Sequence, residues 1–126
     1  MGTYTAFEWS EAAQAIASAL QKSEKAILKL KAGSPQHRLT ERNIRAFQIA
    51  LSLIAREQGG EAGSPFTAGE QAQAQAAFSA AIARVEKVLP KFVSGTPQHT
   101  LAVRRIRAFE IAGELLAREL EKERQG

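Results

Sequence analysis

Ile16, Leu20, Ile27 and Leu30, with Ser23 completing the series, recur in steps of four and three. That spacing places them on one face of a helix. A second series follows at Leu39, Ala46, Phe47, Ala50, Leu53 and Ile54. Further along, Phe78, Ile82, Val85, Leu89 and Phe92 repeat the first pattern, and Leu101, Ala108, Phe109, Ala112, Leu115 and Leu116 repeat the second. No run alternates apolar and polar residues with period two, so no sheet is expected. The Ala- and Gln-rich stretches between the apolar positions favour helix intrinsically.

The two patterns come twice because the sequence does. Residues 3–57 align with 65–119 without a gap, and nearly half of the aligned positions are identical. The densest match is SPQHRLTERNIRAF (34–47) against TPQHTLAVRRIRAF (96–109). Residues 58–64, QGGEAGS, read as a linker because they are rich in glycine and run into Pro65. The expected architecture is all-α. It is a four-helix bundle built from two tandem helical hairpins related by a pseudo-two-fold axis, in a single domain spanning 1–126. Each hairpin alone leaves an apolar face exposed, and stacking the two covers both.

Local chemistry supports these boundaries. Ser34 and Thr96 suit the N-cap, and Pro35 and Pro97 suit the first helical position, where no N–H is needed. Gly33 and Gly95 stand where a left-handed cap would end the preceding helix. Pro90 ends or kinks the third helix near Leu89. Ile44, Leu51, Ile106, Phe7 and Trp9 lie off the main stripes, and they either wrap the bundle or form a homodimer surface.

Composition narrows the function. The chain has 126 residues and no cysteine, which removes disulfides and thiolate metal sites and agrees with a reducing, cytoplasmic setting. No segment has the length and apolarity of a membrane span, and the N-terminus lacks the pattern of a signal peptide, so no membrane association is expected. All thirteen carboxylates are Glu. No G-x-S-x-G serine, phosphate-cradling glycine loop or Glu-x-x-His pair occurs, so neither catalysis nor a cofactor is expected. The net charge of +4 permits an anionic partner without requiring one.

Two sets of repeated residues are candidates for binding. His37 and His99 begin equivalent helices, where free N–H groups and the helix dipole favour an anion. A structural role in the first turn is the expected one, and two histidines alone make a poor metal site. Arg42, Arg45 and Arg56 recur as Arg104, Arg107 and Arg118 along one helical stripe. Phosphate or nucleic-acid contact is one reading of this stripe. Internal pairing with Glu8/Glu70, Glu24/Glu86 and Glu57/Glu119 is the other. The expected function is a non-enzymatic helical module binding a protein partner or a second copy of itself. A small anionic ligand at His37/His99, or nucleic acid along the arginine stripe, is the alternative.

Overall fold

The computed structural model describes residues 4–60 and 66–125, the last three by backbone alone. Among these residues there are four α-helices and no strand: α1 (Ala6–Ile27), α2 (Pro35–Glu57), α3 (Ala68–Val88) and α4 (Pro97–Gln125). A 3-10 turn at Leu89–Lys91 follows α3. Of the expected linker, Gln58–Gly60 form a turn in which the Gly60 N–H donates to the Ala55 carbonyl at 2.9 Å. The rest of the linker, and the outermost residues of both repeats at Thr3 and Pro65, lie outside the described residues.

Each helix start is fixed by local hydrogen bonds. The Ser34 and Thr96 hydroxyls accept from the His37 and His99 N–H groups at 3.2 and 3.3 Å, as N-caps do. In α1, the Glu8 N–H donates to the Thr5 hydroxyl at 3.1 Å, while the Thr5 N–H donates to the Glu8 carboxylate at 2.9 Å. Thr67 and Glu70 form the same capping box in α3 at 3.0 and 3.1 Å.

The helix ends correct the sequence reading. The apolar stripe of α1 was expected to continue through Leu30, yet the helix stops at Ile27. There the Lys29 and Leu30 N–H groups turn back to Ala26 and Ile27 at 3.0 and 3.2 Å, tightening the last turn. The third helix stops at Val88, two residues before Pro90. Gly33 and Gly95 do take left-handed backbone, with φ of 82° and 89°. They are not helix caps, however. Each occupies the third position of a four-residue turn, closed by the Ser34 N–H to Lys31 at 3.0 Å and the Thr96 N–H to Val93 at 3.1 Å. A negative φ followed by a positive one is the type II pattern, which favours glycine there.

Packing also moves the expected core. The buried face of α1 is Trp9, Ala12, Ile16 and Ala19, and that of α3 is Gln71, Ala74, Phe78 and Ala81. The small alanines let neighbouring helices approach closely, so the larger Leu20, Ile82 and Val85 sit at the core's margin. Ala46, Phe47, Ile49, Ala50, Leu53 and Ile54 are buried in α2. Their α4 counterparts Ala108, Phe109, Ile111, Ala112, Leu115 and Leu116 are buried as well. Leu39 and Leu101 were expected inside but are 44% and 47% exposed, and Leu101 opens onto a cleft between α1 and α4. Trp9 is core, whereas Phe7 is exposed, so the two off-stripe aromatics of α1 part company.

Helix α1 packs on α2 and α4, and α3 packs on α4 and α2. The second and fourth helices meet across the centre. There Phe47 stacks on Phe109 with centroids 5.8 Å apart, and Phe78 joins both rings at 5.6 and 5.5 Å. Among the described residues, no helix is long and apolar enough to cross a membrane.

Candidate functional site

The repeated arginines divide into two groups. Arg45 on α2 reaches Glu70 at the start of α3, at 2.7 Å. Arg107 on α4 reaches Glu8 at the start of α1, at 3.2 Å. The guanidiniums also lie over aromatic rings, Arg45 over Phe66 at 5.1 Å and Arg107 over Tyr4 at 5.3 Å. Each arginine therefore braces a helix start in the opposite half. Both carboxyls are held below their ordinary pKa. For Glu70 the hydrogen bond from Arg45 is the main cause, followed by the Thr67 N–H. For Glu8 the main cause is the Thr5 N–H, and Arg107 contributes less. Arg56 pairs with Glu119, a buried carboxylate that Lys122 also approaches at 3.7 Å. Arg42 and Arg104 enter no ion pair among the described residues. Glu24 and Glu86, expected as partners for the arginines, do not meet them.

Arg104 and Arg107 form one wall of a groove of about 390 Å³ between α1 and α4. The opposite wall carries Glu8 and Glu11, and the floor is Ala12, Ala15, Ala108 and Ile111. Phe7, 72% exposed, and Leu101 and Val103, 47% and 44% exposed, present apolar surface along it. A contiguous apolar patch with a polar rim marks an interaction surface more often than does a scattered exposed residue.

The equivalent cleft between α2 and α3 is smaller, about 180 Å³, and lined mainly by charged and polar residues. Glu41, Arg42, Arg45, Glu70 and Gln73 line it with Ala46 and Ala74. Three substitutions between the repeats account for the difference. Phe7 is matched by Gly69, Glu11 by Gln73, and Val103 by Glu41. The sequence shows that this helix start is less polar in the second copy. Only the fold shows that Val103 and Phe7, far apart in the chain, line the same groove.

His37 and His99 line neither of these clefts. Both sit in the first turn of their helices, each donating its backbone N–H to the cap residue. The His37 Nδ1 lies 3.5 Å from Glu41, but Val103 replaces that carboxylate below His99. The cationic opening lies elsewhere, in a cleft of about 280 Å³ over Phe47 and Phe109. Lys22, Arg84 and Arg105 rim it, with no carboxylate among its lining residues. Lys22 and Arg84 are counterparts in the two aligned stretches, and Arg105 lies in the repeated block but off the arginine stripe. Among the described residues, no three His, Cys, Asp or Glu side chains gather in a metal-binding cluster.

Comparison of the chain with protein-family models, with curated proteins and with solved structures found no match in any of the three.

Proposed function

We propose that this chain is a non-enzymatic helical interaction module whose α1–α4 groove is the face that docks on a partner's helices. Residues 3–57 and 65–119 are then twin hairpins related by a pseudo-two-fold axis within one domain, joined through 58–64. The crosswise pairs Arg45–Glu70 and Arg107–Glu8 support that axis, as does the stacking of Phe47 on its own counterpart Phe109.

The observation that carries the interaction reading is the difference between the two equivalent clefts. Structural needs apply to both, yet only the α1–α4 groove presents Phe7 and Val103 to solvent. Exposed apolar side chains lose favourable burial, at about 25 cal/mol for each Å² left in water. A docking helix recovers that term through anchors spaced at three and four residues. The arginine stripe is a weaker basis for nucleic-acid binding, since Arg45 and Arg107 direct their donors to Glu70 and Glu8.

A photoreactive residue placed at Gln14, on the groove, and at Ala76, its counterpart, tests this reading. The expected result is an adduct from position 14 that disappears when Phe7→Glu is added, with none from position 76. Adducts indifferent to Phe7, or equal from both positions, would refute the groove as the docking face.

A second reading follows from Lys22, Arg84 and Arg105, which enter no ion pair among the described residues and favour a small anion in the cleft above Phe47 and Phe109. It replaces the histidine pair as the place for an anionic ligand. Titration with inorganic phosphate is expected to shift the Arg84 and Arg105 side-chain resonances. Unmoved resonances would remove the idea.

A further inference from the structure

This inference rests on the α1–α4 groove being the docking face. We infer that its occupant is a second copy of the chain, docked groove to groove about a two-fold axis running along the groove. One wall of the groove is acidic and the other basic. Rotation about an axis along the groove lays α1 of one copy over α4 of the other, so the acidic wall meets the basic one. An axis across the groove would instead set Glu against Glu, which is unfavourable. Charge therefore selects a single register.

Within that register the partners can be named. The first and fourth helices run antiparallel across the groove, since Glu8 lies beside Arg107 and Tyr4 meets Glu114. One turn further along from Glu8 is Glu11, and one turn back from Arg107 is Arg104. Glu11 and Arg104 therefore stand at the same level on opposite walls, and neither has an ion-pair partner among the described residues. In the dimer each meets its counterpart on the other copy. Phe7 enters a groove whose floor is mostly alanine, at Ala12, Ala15 and Ala108 beside Ile111, which leaves room for a ring.

The same geometry explains why assembly stops at two. A chain with two self-complementary faces would propagate, whereas one such face closes on itself. The α2–α3 cleft has lost the ring, the acid and the apolar wall residue, at Gly69, Gln73 and Glu41. It cannot serve as a second face of this kind.

Sedimentation equilibrium on the full chain tests the inference, with helicity checked by circular dichroism. The parent chain is expected to be a dimer, and Phe7→Glu a folded monomer. Glu11→Arg and Arg104→Glu should each weaken the dimer by about tenfold or more, because each reverses two exposed pairs per dimer. Combining them restores the opposite charges and should recover most of the affinity. A parent chain that stays monomeric at its highest soluble concentration would overturn the inference. A double variant no tighter than the single variants would overturn it as well. The underlying groove reading fails separately. If the chain is monomeric yet position 14 still forms a Phe7-dependent adduct with a different protein, the groove stands and only the second copy is excluded.

Discussion

Phe47 and Phe109 occupy the same place in the two repeats and lie stacked against each other, with Phe78 closing a cluster of three rings. Truncating a buried Phe to Ala removes the ring's transfer energy and leaves a cavity, at about 3–5 kcal/mol. Phe109→Ala is therefore expected to lower unfolding stability by that amount in urea titrations. A loss under about 1 kcal/mol would mean the site collapses around the gap, and the ring cluster is then not central. The carboxyls at the helix starts give a subtler residue-scale test. Glu70 and Glu8 titrate below their ordinary 4.5 in the folded chain. A depressed folded pKa contributes stability above the unfolded value. That contribution is lost as pH falls below about 4.5 and through the folded pKa. Arg45→Gln should raise the Glu70 pKa more than Arg107→Gln raises that of Glu8, since the Thr5 N–H remains the larger influence on Glu8. Carboxyl carbon shifts followed against pH measure both, and equal rises would contradict the assignment of causes. Little of this pairing was legible in the sequence. The repeated Glu8/Glu70 and Arg45/Arg107 are visible there, but which half each arginine reaches depends on how the hairpins stack. Leu39 and Leu101 are exposed for a similar reason, because periodicity reports the face of a helix and not where along it the neighbours end.

Starts and ends of helices differ in how far local chemistry determines them. All four starts carry their signal in adjacent residues: Ser34-Pro35 and Thr96-Pro97, and the spacing Thr5–Glu8 and Thr67–Glu70. The last two are capping boxes that a search for Thr-x-x-Glu before an apolar run would find. Losing the hydroxyl in Thr67→Ala should cost about 1 kcal/mol of stability, measured by thermal or denaturant unfolding. The ends are less legible, because a helix stops where the chain must turn into its partner. Pro90 announces the stop of α3, but nothing equivalent announces that of α1, whose apolar stripe runs on to Leu30. The turns themselves depend on Gly33 and Gly95. An alanine at Gly95 must take the left-handed region, which costs about 1–2 kcal/mol. Space is not the difficulty, since nothing lies within 4 Å of where its Cβ would stand. Gly95→Ala is thus expected to destabilise through backbone strain alone, and an unchanged melting temperature would show that the turn relaxes into another form.

At the scale of the whole molecule, the two matching stretches of sequence line two clefts of unlike character. The α2–α3 cleft is sealed by charge around Arg45 and Glu70, and the α1–α4 groove is opened by Phe7, Leu101 and Val103. The all-helical architecture was readable from spacing alone. The groove was not, because Phe7 and Val103 lie about three quarters of the chain apart and neither is unusual in its own neighbourhood. Their meaning arises only when α1 lies beside α4. The most direct measurement of the central claim is a map of backbone amide shifts as the protein concentration is raised. The account predicts concentration-dependent shifts confined to α1 around Phe7–Ser18 and to α4 around Leu101–Ile111. Shifts centred instead on the α2–α3 cleft, or absent at every concentration, would contradict it.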